Sequence, residues 1–160
     1  MRKQYHFWPG ANGLDAWDVD RLVELSQDFP IADVAISTIR DVDTAYWFDE
    51  TEAPTVRRVV EHIRLIEEVD VKYAIILGPD GQVMDGMHRV ARAMLEGRTT
   101  IRAVRFELLP EPDYRDCRPS ELPYDKRQAG PYFRSSTTAQ DTLARTGVLT
   151  ALSLELHSFR

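Results

Sequence analysis

A continuous apolar run, Tyr73–Leu77, is the feature that most constrains how this chain can fold. Its length and its isoleucines are typical of a buried strand. Every residue of Gly78–Gly81 favours a turn, so the chain is expected to reverse there and return through Val83 and Met84. The run therefore predicts a β-hairpin near the middle of the sequence.

Two amphipathic helices are predicted on either side of this hairpin. Thr55–Val69 carries apolar residues at intervals of three and four, after start signals at Thr51 and Pro54. The face expected to be buried consists of Val56, Val59, Val60, Ile63 and Ile66. The second helix begins at Met87, and Gly97 stands where a left-handed C-cap would end it.

The remaining periodic segments complete the predicted fold. A further helix is expected between Gly13 and Pro30, with Asp15 as its N-cap. Strands are expected over Ile31–Ile39 and Ile101–Phe106. Strands that alternate with helices predict an α/β (α+β) fold, in which helices cover a small mixed sheet.

The amino-acid composition changes after Leu109, and this change divides the chain into two parts. Residues 1–109 are predicted to form the domain, with an N-terminal helical extension. Residues 110–160 begin with a proline-rich stretch that is expected to be too broken for a regular element. They are predicted to be an arm and a tail, and not a separate domain.

Composition limits the partners of this chain. Its 160 residues include no apolar run long enough for a signal peptide or a membrane span, and Cys117 is the only cysteine, so we expect a cytoplasmic protein without membrane contact. The net charge of −6 argues against direct DNA binding. From Thr55 to Arg105, however, nine basic residues stand against seven acidic ones, so this segment can hold an anion.

The segment Asp85–Arg89 is the strongest candidate site. Gly86 lies between a predicted strand and a predicted helix, and glycine permits a tight turn and close approach of a ligand. The first N–H groups of a helix are unpaired and partly positive, which favours phosphate, and His88 and Arg89 can add hydrogen bonds. A structural alternative stays open, in which Asp85 caps the helix, Arg89 pairs with a surface carboxylate and His88 is a satisfied surface histidine.

The same segment resembles the ParB/sulfiredoxin-like superfamily. Asp85–Arg89 (DGMHR), with Ala91 following, is similar to the D-G-H-H-R, D-G-Q-H-R, G-C-H-R and G-E-R-R motifs of its members, a DGxHR pattern. The likeness covers Ile75–Phe106 and extends more weakly to Ile36–Asp49 and Thr55–Val69. Members use this motif to hold nucleotide phosphates. The resemblance therefore implies a nucleotide-binding domain of that fold.

The resemblance also implies roles for individual residues. The phosphates of ATP, ADP or CTP would be bound by Gly86, Met87, His88 and Arg89. Asp85 and His88 would be catalytic, and Asp85 would also hold Mg²⁺, because an acid beside a transferred phosphate can bind the metal or accept a proton. The catalytic glutamate of the free serine kinases falls at Asp43. The partners would be a nucleotide and a small-molecule phosphate acceptor.

Departures from the family patterns narrow the function. Met87 stands where sulfiredoxins have a reactive cysteine, and a thioether cannot act as a thiolate nucleophile. No pair of amphipathic helices is recognisable after Leu109, which argues against a complete ParB with its helix-turn-helix DNA reader. Three hypotheses remain: a nucleotide hydrolase or phosphotransferase, a non-catalytic nucleotide-switched binding module, and a ParB-like DNA-associated accessory protein.

Other titratable residues give weaker signals. Glu61 and His62 lie on the helix before the hairpin and could line the same pocket, although a solvated helix face is the favoured interpretation. The spacing of the four histidines argues against a structural zinc site.

Overall fold

The computed structural model describes residues 3–48 and 53–124, which form a mixed α/β fold with two sheets and three α-helices. The strands are β1 (Tyr5–Pro9), β2 (Leu14–Asp18), β3 (Ala32–Ala35), β4 (Ile75–Leu77), β5 (Val83–Asp85), β6 (Thr100–Arg105) and β7 (Tyr114–Cys117). The helices are α1 (Val19–Ser26), α2 (Val56–Glu68) and α3 (Met87–Leu95). No helix in these ranges is long and apolar enough to cross a membrane. The predicted α+β class is confirmed, but the strands form two sheets.

The larger sheet contains the predicted hairpin and has the strand order β3-β6-β4-β5. β6 lies antiparallel to β3 and parallel to β4, and β4 pairs with β5 in the antiparallel direction. One core cluster joins this sheet to α3; it includes Ile75, Leu77, Met87, Val90 and Ala93. Gly97 ends α3 with φ 69°, as the sequence predicted. This packing fixes the first turn of α3 directly after the edge strand β5.

The smaller sheet, β1-β2-β7, corrects the prediction for both ends of the domain. The sequence predicts a helix that begins after Gly13 with Asp15 as its N-cap. The predicted start is wrong, because Leu14–Asp18 is a strand. α1 begins only at Val19, where the Asp18 carboxylate accepts a hydrogen bond from the Asp20 N–H. The arm expected to lack regular elements contributes β7, which pairs with β2. Backbone pairing between distant segments here overrides the local sequence signal.

The α2 helix is confirmed, but the prediction of its buried face is wrong. Thr55 caps the helix, since its hydroxyl accepts a hydrogen bond from the Arg58 N–H at 3.4 Å. Ile66 alone is buried in the core, whereas Val56 is 82% exposed. The other exposed apolar residues of the predicted face are Val59, Val60 and Ile63. The helix packs mainly against α3, which covers only one edge of it.

Trp17 ties the smaller sheet to the chain that follows β6. Its side chain is 2% exposed, and its Nε1–H donates to the Pro110 carbonyl at 2.8 Å. Trp17→Phe keeps an aromatic ring but leaves that carbonyl without its donor, so we expect the free energy of unfolding to fall by about 1–2 kcal/mol. Urea denaturation measures the change. Trp8→Phe, on an exposed ring, is the control and should stay within about 0.5 kcal/mol of wild type.

Candidate functional site

A cavity of about 650 Å³ opens between the edge strands of the two sheets. Residues 3–8, around β1, form one wall, and residues 82–88, from β5 into α3, form another. Side chains of the segment after β3 also line it, namely Asp41, Thr44, Tyr46 and Trp47. The predicted site segment therefore borders an open cleft whose volume is in the range that small ligands occupy.

Gly86 is required by the geometry of this turn. Its φ of 104° lies in the left-handed region, and a Cβ at this position would lie 2.7 Å from Cγ2 of Ile75. Its carbonyl accepts hydrogen bonds from the N–H groups of Arg89 and Val90, at 2.8 and 3.1 Å. A larger residue would displace the strand-to-helix turn that positions the site.

The N-terminus of α3 lacks the side-chain cap that α1 and α2 have. Asp18 caps α1 and Thr55 caps α2, but Gly86, the N-cap residue of α3, has no side chain to do so. The first N–H groups of a helix have no partner within the helix. Met87 and His88, the first residues of α3, line the cavity, so their N–H groups are the candidate donors to an acceptor on a ligand.

Asp85 and Arg89 form an ion pair next to this turn. Nη2 of Arg89 lies 2.5 Å from Oδ2 of Asp85, and the two side chains are 19% and 20% exposed. The guanidinium folds back over Gly86, and its Nε has no hydrogen-bond partner in the described ranges. The structural alternative is wrong for both residues, because Arg89 pairs with the partly buried Asp85 and not with a surface carboxylate, and Asp85 does not cap the helix.

Asp41 and Tyr46 cover the free edge of β5. The Asp41 carboxylate accepts a hydrogen bond from the Val83 N–H at 2.5 Å, and the Tyr46 hydroxyl donates to the Val83 carbonyl at 3.1 Å. Burial, reinforced by Asp41 and Asp85, raises the pKa of Tyr46 to about 12. Asp43, the sequence candidate for a catalytic acid, is exposed and does not line the cavity. In the segment after β3, Asp41 is the acid that lines the cavity.

His88, Trp47 and His62 form a cluster of nearly parallel rings. The Trp47 ring lies 4.9 Å from that of His88 and 4.6 Å from that of His62, at interplanar angles of 19° and 21°. Nδ1 of His62 lies 2.9 Å from Nε2 of His88. Burial, aided by His62 and Arg89 and opposed by Asp85, lowers the pKa of His88 to about 4, so this ring is neutral at pH 7. The prediction that His62 lies on a solvated helix face is therefore wrong.

Three polar side chains of the cavity wall, those of Tyr5, His6 and Gln82, have a buried atom without a hydrogen-bond partner among the described residues. Gln82 is 6% exposed, and its Oε1 makes no hydrogen bond. Nε2 of His6 is also buried and unpaired. Burial lowers the pKa of His6 to about 4, against the opposing effect of Asp41 and Asp85. Buried polar atoms are rarely left unsatisfied, so these three are candidates for contact with a polar occupant of the cavity.

The charges around the cavity do not form a resident Mg²⁺ site. No group of three or more metal-ligating side chains exists within residues 3–48 and 53–124. Asp85 is neutralised by Arg89, and an oxygen of Asp41 is already bound to a backbone N–H. Mg²⁺ needs carboxylates that are free to bind it, along with phosphate and water. The role of Asp85 as a metal ligand stays a prediction, because Mg²⁺ in a nucleotide site is held by one or two carboxylates together with the phosphates.

The structure brings together most of the residues that the sequence singled out. Asp85, Gly86, Met87 and His88 line one cavity, Arg89 pairs with the first of them, and Asp43 lies apart. Sequence reasoning missed the contributions of Asp41, Trp47, Gln82 and His6. The nearby acids and aromatics after β3 were visible in the sequence, but nothing there showed which of them turn inward. No protein-family model, curated protein or solved structure matches this chain significantly.

Stability is expected to fall as the pH decreases from about 6.5 towards 4. The pKa values of His6 and His88 are lowered to about 4 in the folded state, against an ordinary value near 6.5. In that window the unfolded chain binds more protons than the folded one, so protons favour unfolding. Urea denaturation at about pH 7 and pH 5 should show a loss of order 1 kcal/mol per histidine. His6→Gln should flatten the pH dependence, and an unchanged slope would contradict the assignment.

Proposed function

We propose that this protein binds a nucleotide through a phosphate group at the N-terminus of α3. The observation that carries the proposal is an uncapped helix N-terminus at a cavity whose wall also includes Gln82, a buried residue whose Oε1 has no hydrogen-bond partner among the described residues. The end of the helix carries roughly half a positive charge, and its N–H groups bind anions without help from side chains. The resemblance of Asp85–Arg89 to the ParB/sulfiredoxin-like superfamily supports the same ligand and a ParB-like domain.

The remainder of the cavity suits the rest of a nucleotide. Its volume of about 650 Å³ is within the usual range for small-molecule sites. Tyr5, Phe7 and Trp8 contribute aromatic surface from the β1 wall, on which a base can stack. The Oε1 of Gln82 offers an acceptor to a donor group of the ligand. ATP, ADP and CTP are therefore the nucleotides to test first.

The Asp85–Arg89 pair favours a binding module over a phosphotransferase. Catalysis of phosphoryl transfer relies on cations and Mg²⁺ placed at the transferred group. Here the guanidinium is bound to a carboxylate and so is not free to contact a transferred group. We therefore propose that nucleotide binding changes the affinity for a partner, with hydrolysis or transfer to a small acceptor as the second candidate. The acidic net charge of the chain argues against DNA as that partner.

Backbone NMR tests this proposal at the atoms it names. ¹H–¹⁵N spectra are recorded during titration with ATP, ADP, CTP and GTP in Mg²⁺ buffer. We expect the N–H signals of Met87 and His88 to shift most with at least one nucleotide. The Arg58 N–H, at the N-terminus of α2 that Thr55 caps, is the matched control and should not move. Absence of shifts at Met87 and His88 with every nucleotide would refute the proposal, and phosphate release in the same samples reports turnover.

A further inference from the structure

His62 and His88 meet edge to edge beneath Trp47. Their ring centroids are 5.2 Å apart and their planes differ by 17°. This centroid separation is close to the longest that a 2.9 Å contact between Nδ1 and Nε2 permits, so the two nitrogens point at each other. That is the geometry of a hydrogen bond between two imidazoles. Two rings that converge on a shared metal ion would have their centroids closer at the same nitrogen separation.

This hydrogen bond fixes what His88 can offer to a ligand. A neutral imidazole has one N–H donor and one acceptor nitrogen, and which nitrogen carries the proton depends on its partners. Nε2 of His88 is occupied by His62, so Nδ1 is the only ring nitrogen left for the cavity. If Nε2 of His88 donates, its Nδ1 presents a lone pair to the ligand. If Nε2 accepts, its Nδ1 presents an N–H.

We propose that His62 is a positioning residue whose Nδ1–H donates to Nε2 of His88, which makes His88 a hydrogen-bond donor, through Nδ1–H, to the ligand's phosphate. The inference rests on the proposed function, because it takes the ligand group at the N-terminus of α3 to be an anion. A lone pair directed at a phosphate oxygen would repel it, whereas an N–H adds to the helix N–H groups.

The surroundings of the pair support this assignment. Trp47 covers both rings, and Phe48 meets the His62 ring edge-on at 5.4 Å, so a ring flip of either histidine would disturb packing. Among the described residues, Asp85 and Arg89 are the charged groups that act on His88, and they are paired with each other. Because His88 is neutral, its Nδ1 carries a proton only if the hydrogen bond from His62 occupies Nε2.

The test combines ring NMR with two variants of His62. Two-bond ¹H–¹⁵N spectra at neutral pH report which nitrogens of His62 and His88 carry protons, without any ligand. Binding of ATP, ADP, CTP and GTP is then measured by calorimetry. His62→Asn keeps an N–H donor near the position of Nδ1, whereas His62→Phe keeps an aromatic ring against Trp47 but has no donor. We expect His62→Phe to weaken nucleotide binding about tenfold and His62→Asn to stay within about threefold of wild type.

The readouts separate this inference from the proposed function. Protons on Nδ1 of both histidines support it, and a proton on Nε2 of His88 would overturn it whether or not any nucleotide binds. If wild type binds a nucleotide and His62→Phe binds it equally well, the positioning role is wrong and the binding site stands. If wild type binds none, the proposed function fails, and with it the role of His88 as a phosphate donor.

Discussion

Replacing Gly86 with alanine should lower the free energy of unfolding by roughly 2–4 kcal/mol. Two effects add at this position. The φ of 104° disfavours any residue with a Cβ, and that Cβ would lie 2.7 Å from Cγ2 of Ile75 and 2.8 Å from Nη2 of Arg89. Urea denaturation would show a lower midpoint with an unchanged slope if the native state alone is affected.

Gly97→Ala is the matched control for this prediction. Gly97 also has a positive φ, 69°, but no atom lies within 4 Å of the position of its Cβ. Its substitution should therefore cost only about 1 kcal/mol, from backbone strain alone. The difference between the two variants isolates the steric contribution at Gly86. Equal losses in both would show that the contacts with Ile75 and Arg89 do not constrain the turn.

Local sequence signals predicted the parts of the fold that depend on neighbouring residues. The turn before β5, the start of α3 and the Gly97 cap all follow from residues a few positions apart. The smaller sheet does not, because Leu14 pairs with Cys117 across the chain. Nothing near Leu14–Asp18 distinguishes a strand from the helix that the spacing favours. Only the distant partner decides it.

In the candidate site, too, some features follow from neighbouring residues in the sequence and others depend on packing between distant segments. The position of Asp85–Arg89 at a helix N-terminus follows from the sequence, and the i,i+4 spacing of the two end residues allows them to pair. The meeting of His62 with His88 depends on how α2 packs against α3, which no local pattern encodes. The preference for Asp41 over Asp43 depends on a 3₁₀ turn. In a 3₁₀ helix, two residues that are two positions apart point in directions that differ by about two thirds of a turn. Asp41 and Asp43 therefore cannot both face the cavity.

The Asp85–Arg89 pair predicts a distinctive set of nucleotide affinities. In Arg89→Ala, the partly buried Asp85 carboxylate stays beside the phosphate site without its counter-ion. We expect nucleotide binding to weaken by about 30- to 100-fold, because the unpaired charge repels the ligand. Asp85→Asn removes that repulsion and releases the guanidinium, so it should bind at least as tightly as wild type. Calorimetric titration of each variant, with the nucleotide that wild type binds best, measures the series.

The double variant Asp85→Asn/Arg89→Ala decides why Arg89 matters. If Arg89 acts only by neutralising Asp85, the double variant should recover most of the affinity lost in Arg89→Ala. If the guanidinium itself bound the phosphate, the double variant would stay as weak as the single one, and our account of the pair would be wrong. Arg98→Ala is the matched control, because Arg98 pairs with Glu96 away from the cavity and should leave affinity within about twofold.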